Sequence, residues 1–226
     1  MSTRRLAPAS VQPDSFAFNA ENAEWIKGQI AKFPEGRQAS AVIPLLWKAQ
    51  EQEGWVSKAA IEDVARILGM PEIRVLEVAT FYFQFQLSPV GSNAHIFVCG
   101  TTPCMLCGAE DIVGVAERLI GPAHTLSSDN KLSGEDGECL GACANAPMVQ
   151  IDSWVKGAFH SDYYEDLTTE SFERIVEAFR AGNYPKPGSQ TGRFASEPSG
   201  GLTSLTGQSG ETVNASVAAA LSQGAA

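Results

Sequence analysis

The chain has 226 residues, with 26 Asp and Glu against 16 Lys and Arg, so its formal net charge is −10. This acidic balance excludes a general nucleic-acid binder, which needs a basic face to neutralise phosphates. The length and the 44% of hydrophobic residues suit one or two globular domains. No run approaches the roughly 18 consecutive apolar residues of a membrane-spanning helix, and the N-terminus lacks a signal-peptide core, so we expect a reducing, intracellular environment.

Composition divides the chain into three parts. Residues 1–90 carry 10 acidic and 9 basic residues, residues 91–185 carry 14 and 5, and residues 186–226 carry 2 and 2. All five cysteines lie between Cys99 and Cys143. The middle part therefore holds both the thiols and nearly all of the net negative charge.

The first part, residues 14–90, is predicted to be a small helical bundle. Apolar residues recur at helical spacing over residues 24–33, 42–53, 57–68 and 71–79, and short connections separate these segments. Residues 81–87 (FYFQFQL) alternate like a strand and end at a turn signal. Nothing in this part points to catalytic chemistry.

The second part, residues 91–185, is predicted to be α/β, which makes the whole chain α+β. Strands are expected at residues 95–99 and 148–151, with weaker ones at 124–126 and 131–133. Helices are expected over residues 109–120 and from a Thr168 cap to Gly182. A thioredoxin-like layout is one fold of this kind, although periodicity alone does not select it. Residues 186–226 are rich in Gly, Ser, Ala and Thr and predict a mobile tail or one that lies along a partner.

The cysteine spacings admit three kinds of site. A [2Fe–2S] cluster needs two thiolates on each iron, which Cys99/Cys104 and Cys139/Cys143 could supply. A structural zinc ion accepts closely spaced pairs, such as Cys104/Cys107 with Cys139/Cys143. A redox-active dithiol would use Cys104 and Cys107, which form a C-x-x-C motif ahead of a helix. Spacing alone leaves all three open.

Eight short motifs resemble one known family. They are PEGR at residues 34–37, SAVIPLL at 40–46, EQEGW at 51–55, EVATFY at 77–82, VCGTTPC at 98–104, CLGAC at 139–143, APMVQI at 146–151 and YEDLT at 164–168. In this order, over residues 14–185, they are similar to the 24-kDa subunits of respiratory complex I, the E-type subunits of bacterial NADH:quinone oxidoreductase. The paired-cysteine motifs are the most specific of them.

The resemblance implies a helical bundle, a thioredoxin-like ferredoxin domain and one [2Fe–2S] cluster. The family's ligand pattern falls on Cys99, Cys104, Cys139 and Cys143, as both metal ligands and cofactor-binding residues. Cys107 falls outside the pattern, and we expect it to be a packing residue on the first turn of the helix. Extra residues at 153–161 put the length of a hairpin there in doubt. Pro147, just before a strand, is a candidate cis-proline of the thioredoxin type.

The function implied is that of an electron-transfer subunit of complex I. Its cluster would exchange single electrons with FMN in the neighbouring NADH-oxidising subunit, among other peripheral-arm subunits. An equivalent diaphorase-type subunit of an NAD-linked hydrogenase or formate dehydrogenase is the second assembly. A structural zinc-binding module is the alternative from a different class.

The chain itself is expected to lack catalytic residues. His95, His124 and His160 are isolated in the sequence, and no G-x-G-x-x-G precedes a helix, so the chain has no dinucleotide motif of its own. It would act as an oxidoreductase only as a subunit, with neither nucleic-acid binding nor direct membrane insertion. We expect it at the cytoplasmic face of a bacterial inner membrane rather than in a mitochondrial matrix.

Overall fold

A computed structural model describes residues 4–154 and 157–193. Its helices are α1 (Ala20–Ile30), α2 (Val42–Glu53), α3 (Lys58–Leu68), α4 (Glu72–Phe81), α5 (Thr102–Leu106), α6 (Ala109–Leu119) and α7 (Thr169–Arg180). Its strands are β1 (Ala94–Cys99), β2 (Leu132–Gly137), β3 (Val149–Ser153), β4 (His160–Glu165) and β5 (Gly188–Ser189). A short 3₁₀ turn, Cys143–Asn145, precedes β3. No helix within the described ranges is both long and apolar enough to cross a bilayer.

Helices α1 to α4 form the predicted N-terminal helical region. The Asn19 side chain caps α1 by accepting a hydrogen bond from the Asn22 N–H (2.8 Å), so α1 begins earlier than the apolar periodicity indicated. The Ser57 hydroxyl caps α3 by accepting from the Ala60 N–H (3.1 Å). Their apolar faces meet in one core, whose fully buried members include Ala41, Leu45, Leu46, Val56, Val64, Val75 and Ala79.

The strand predicted for residues 81–87 is wrong. Helix α4 continues to Phe81, and in the described chain the residues after it form a turn rather than a strand of the sheet. The Gln50 side chain on α2 donates to the Gln84 carbonyl (2.9 Å) and accepts from the Gln86 N–H (2.6 Å). A side-chain amide thus takes the place of a neighbouring strand. Burial does not alternate along this segment, since Phe81 is 78% exposed and Phe85, Gln86 and Leu87 are all buried.

The sheet has the strand order β2-β1-β3-β4-β5 in the described part of the chain. Strand β1 runs parallel to β2 and antiparallel to β3, β3 is antiparallel to β4, and β4 is parallel to β5. Helices α5 and α6 make the crossover that a parallel β1–β2 pair requires. The predicted weak strand at residues 131–133 is the start of β2, whereas 124–126 contributes only an isolated bridge from Leu126 to Ser133.

Strand β1 is buried on both faces. Ala94, Ile96 and Val98 join the core formed with α6 and α7, whose largest members include Phe172 and Phe179. On the other face, Phe97 stacks on Phe83 from the segment after α4, with ring centroids 5.5 Å apart. The strand is therefore held between the α6–α7 layer and the N-terminal helical region.

A buried chain of hydrogen bonds links that helical region to the sheet. The Gln86 side chain donates to Glu135 on β2 (2.6 Å), and His95 on β1 contacts both Glu135 (3.4 Å) and Ser133 (2.8 Å). Burial by itself raises the pKa of Glu135, but His95, Gln86 and the nearby His124 outweigh it and hold the pKa below its ordinary value. His95 and His124, which looked isolated in the sequence, thus share one buried carboxylate.

Three smaller expectations have different outcomes. The Ala146–Pro147 peptide is cis, as expected. Residues 155–156 of the extra 153–161 segment, and residues 194–226 of the predicted tail, lie outside the described residues. Residues 188–193, predicted to belong to the tail, instead pack on β4. The domain boundaries at 14–90 and 91–185 stay predictions.

We predict that replacing Gln50 with Leu lowers the free energy of unfolding by about 2–3 kcal/mol, because the buried Gln84 carbonyl and Gln86 N–H both lose their partner. Urea unfolding of the full chain, followed by circular dichroism, measures the change. Glu24→Gln is the control: it removes an exposed pair with Lys27 and should cost at most about 0.5 kcal/mol. Equal effects of the two substitutions would contradict the bridging role of Gln50.

Candidate metal centre

Three segments of chain meet at one edge of the sheet. Because β1 and β2 are parallel and β3 is antiparallel to both, the ends of β1 and β2 lie beside the start of β3. Cys99 is the last residue of β1, Cys139 follows β2 by two residues, and Cys143 precedes β3. Cys104 follows β1 on the short helix α5. The topology thus brings together four cysteines that are as many as 44 positions apart.

Cys99 and Cys104 form the inner pair. Both are buried, in a small cluster with Ala109 and Met148 against which Leu140 packs. The two thiols contact each other, and the Thr101 hydroxyl lies 3.4 Å from the Cys99 sulfur. This pair is therefore fixed by the hydrophobic core of the sheet.

Cys139 and Cys143 form the outer pair. Both are exposed, and their sulfur atoms are 3.5 Å apart. The Gly141 N–H donates to the Cys139 sulfur at 3.4 Å, and Gly141 has φ +87°, a left-handed conformation that favours glycine. No three His, Cys, Asp or Glu side chains in residues 4–154 and 157–193 form a ready-made single-ion site. The thiols approach one another as two pairs.

The pKa values of the four thiols depend on one another. Burial raises the pKa of Cys104 to about 12, aided by the hydrogen bond and the charge of Cys99. Burial also raises the pKa of Cys99, but hydrogen bonds from Thr101, the Leu140 N–H and Cys104 outweigh it, so that pKa is below its ordinary value. Placing four such groups together without a cation is costly, because each thiolate disfavours the next.

The outer pair shows the same division of charge. The Gly141 N–H, and then the Cys143 and Thr101 side chains, lower the pKa of Cys139. The hydrogen bond with Cys139 raises the pKa of Cys143, and the charge of Cys99 adds to it. In each pair the pKa of one thiol is thus lowered, while that of its neighbour is raised, so the neighbour gives up its proton less readily. A cation that binds both sulfurs would displace that proton.

This donor set fits a [2Fe–2S] cluster, which would be held by two thiolate pairs. Backbone N–H groups of Leu140, Gly141 and Met148 point at the sulfurs of Cys99, Cys139 and Cys104 respectively. Such donors, with the Thr101 hydroxyl, stabilise sulfur that carries negative charge. The sequence motifs predicted the four thiols as ligands, and the glycines in these loops suggested backbone N–H donors, but nothing in the sequence gave a signal for the Thr101 hydroxyl.

Cys107 does not have the role expected of it. It lies at the C-terminal end of α5 and is exposed, so its prediction as a packing residue is wrong. Five-residue α5 ends before Gly108, so Cys107 turns outward beside Leu106, which is 81% exposed. The Cys104/Cys107 dithiol is also disfavoured. An attacking thiol needs exposure and a low pKa, whereas Cys104 is buried with its pKa raised.

The fold and the cysteine arrangement agree with one protein class. A family model described as thioredoxin-like [2Fe–2S] ferredoxin matches residues 26–180. This match covers more than half of the chain, and the chain belongs to that family. It confirms the resemblance found in the sequence and the expected fold class, a helical N-terminal region followed by a thioredoxin-like ferredoxin domain.

Two curated relatives narrow the comparison from the family to one kind of subunit. The chain is 56% identical over 208 residues to an E-type subunit of NADH-quinone oxidoreductase, the first of that type in Rhizobium meliloti (strain 1021), in an alignment covering 91% of this chain and 73% of the relative. It is also 45% identical over 168 residues to the E-type subunit of NADH-quinone oxidoreductase of Rickettsia bellii (strain RML369-C). That alignment covers 74% of this chain and 95% of the relative. Both relatives are subunits of an oxidoreductase complex, as their names state.

A solved structure shares the fold. The NAD⁺-reducing [NiFe]-hydrogenase in the air-oxidized state matches 62% of this chain with a TM-score of 0.50 and 16% identity. The chain spans only 23% of the length of that hydrogenase chain. At this identity the match shows a common fold.

We predict that iodoacetamide at pH 8 modifies Cys107, Cys139 and Cys143 of the metal-free chain well before Cys104. Cys104 is buried and its raised pKa leaves it protonated, so it should react at least about a hundredfold more slowly. Peptide mass mapping over time measures each rate, with the urea-unfolded chain as the control in which all five react alike. Early modification of Cys104 would instead support a redox dithiol.

Proposed function

We propose that this chain is the electron-transfer subunit of an NADH:quinone oxidoreductase, holding one [2Fe–2S] cluster through Cys99, Cys104, Cys139 and Cys143. The observation that carries the proposal is the convergence of these two thiol pairs at one sheet edge in a chain of this ferredoxin family. The 56% identity to an E-type subunit over most of the chain supports the assembly. The cluster, when bound, takes up and returns one electron at a time.

The protein gives the two metal positions different surroundings. Cys99 and Cys104 would hold the inner iron, where burial excludes water. Cys139 and Cys143 would hold the outer iron in an exposed loop, which lets a redox partner approach closely. The exposed Met105 and Leu106 on α5 give the same edge an apolar contact surface.

The chemistry of NADH is assigned to a partner. The sequence has no dinucleotide motif of its own, so hydride transfer would take place at FMN in a neighbouring NADH-binding subunit. This chain would exchange single electrons with that flavin within a peripheral arm. Both relatives are bacterial, which supports a position at the cytoplasmic face of an inner membrane.

A diaphorase-type subunit of an NAD-linked hydrogenase is the second candidate, favoured by the fold shared with the NAD⁺-reducing hydrogenase. An NAD-linked formate dehydrogenase would use the chain in the same way. The much higher identity to the quinone-reductase relatives favours the first assembly. Affinity purification of the tagged native chain distinguishes these assemblies, because its co-purifying subunits include either quinone-reductase, hydrogenase or formate dehydrogenase components.

We expect the purified chain to contain about two iron and two acid-labile sulfide. Cys139→Ser should abolish the visible absorption, because the outer iron loses a thiolate. Cys107→Ser, the matched control, should keep both the absorption and the iron. Iron and sulfide analysis with visible spectroscopy measures this. Colourless protein with one zinc would overturn the proposal in favour of a structural zinc module.

We predict that Thr101→Val lowers the reduction potential of the cluster while leaving its iron content unchanged. The Thr101 hydroxyl contacts the Cys99 sulfur and also lowers the pKa of Cys139, so it stabilises added negative charge on sulfur. A redox titration followed by electron paramagnetic resonance measures the potential. Thr101→Ser keeps the hydroxyl and should stay near the wild-type value, whereas an unchanged potential in Thr101→Val would show that this donor has no effect.

A further inference from the structure

The chain returns to the candidate metal centre after α7. Residues 188–193, named here the C-terminal strap, begin with β5, which pairs with Tyr164 and Glu165 of β4. The Gln190 N–H then donates to the Glu165 carbonyl at 2.9 Å. The strap lies beyond residues 26–180, which the family model matches. The strap therefore lies outside the part of the chain on which the family match rests.

The strap closes on Asp166, which follows β4. Ser189 donates its hydroxyl to this carboxylate at 2.6 Å. Arg193 binds it with two nitrogens, Nε at 2.9 Å from Oδ2 and Nη2 at 2.5 Å from Oδ1. The Asp166 side chain is 8% exposed and that of Arg193 is 20% exposed. A bidentate ion pair that is largely buried is stronger and more directional than an ion pair at the surface.

The same groups hold the loop of Cys143. Arg193 Nη2 donates to the Ala144 carbonyl at 2.8 Å, and the Asn145 side chain donates to Asp166 at 3.3 Å and to Glu165 at 3.1 Å. The Asp166 N–H in turn donates to the Asn145 carbonyl at 2.8 Å. Ala144 and Asn145 directly follow Cys143 in one 3₁₀ turn, and Asn145 is 1% exposed.

We propose that the C-terminal strap positions the outer ligand Cys143. Arg193 and Asp166 act as positioning residues that clamp the turn Cys143–Asn145, and so control how firmly the outer iron is held. The inference rests on the proposed function, since it assigns Cys143 to the cluster. Its reason is mechanical: the outer pair lies in an exposed loop and lacks the buried surroundings that fix Cys99 and Cys104.

The test is the rate of cluster loss from the full chain in a chelator, followed by visible absorption. Arg193→Gln, Asp166→Asn and the double variant should each lose the cluster about tenfold faster than wild type, and by similar factors, because either change opens the same clamp. Asn tolerates the positive φ of Asp166 (54°), so this backbone is kept. Circular dichroism confirms that each variant is folded.

Two further measurements separate positioning from a simple effect of charge. Arg193→Lys keeps the charge but lacks the planar fork, so a clamp predicts fast cluster loss, whereas a charge effect predicts wild-type behaviour. A charge effect also shifts the reduction potential in opposite directions in Arg193→Gln and Asp166→Asn, because one removes a cation and the other an anion. Opposite shifts with wild-type retention would overturn the inference.

The matched control is a second Arg–Asp pair. Arg180 on α7 binds Asp129 at 2.7 Å, and the Arg180 side chain is 23% exposed, close to the 20% of Arg193. Asp129 precedes the start of β2, at the end opposite Cys139. Arg180→Gln should leave cluster retention unchanged. Wild-type protein without iron and sulfide would refute the proposed function itself. A wild-type cluster that Arg193→Gln and Asp166→Asn retain normally would refute only the role of the strap.

Discussion

The pairing of β1 with two strands of opposite direction places every part of the candidate metal centre. A parallel β2 and an antiparallel β3 bring two strand ends and one strand start to the same edge of the sheet. Any other direction for either neighbour would move Cys139 or Cys143 to the far edge. Burial of β1 on both faces fixes the pairing, since a one-residue slip would turn Ile96 and Val98 away from the α6–α7 core.

The resemblance of eight motifs to one known family predicted the family and the fold, and the family model confirms it. Cysteine spacing and periodicity alone left both the kind of site and the layout of the second part open. They could not predict that Cys99 and Cys104 are buried while Cys139 and Cys143 are exposed. That asymmetry comes from the tertiary core of Ala109 and Met148. The prediction that Cys107 is a packing residue was wrong for a related reason, because a C-x-x-C spacing does not reveal that α5 ends after five residues.

The strand predicted for residues 81–87 was wrong for a different reason. Its aromatics have the period of a strand, but of these only Phe85 is buried, and the partner of the backbone is the amide of Gln50, 34 positions before Gln84. The sequence does not predict the C-terminal strap either, because Asp166 and Arg193 are 27 positions apart in chain regions of different composition. Both contacts join polar groups that are far apart in the sequence, and hydrophobic periodicity reports only on neighbouring residues.

The hydrogen bonds from Gln50 through Gln86 to Glu135 and His95 give the two layers a single alignment. Apolar surfaces tolerate sliding, whereas hydrogen bonds weaken steeply when their angle changes. Because the path is buried, a displaced helical layer would remove the Gln86 hydrogen bond from the buried Glu135 carboxylate. The same layer carries Phe83, which lines a small cavity together with Phe97 and Leu140 of the cysteine loop. The helical region thus reaches the loop between Cys139 and Cys143, and its buried hydrogen bonds fix the angle at which it does so.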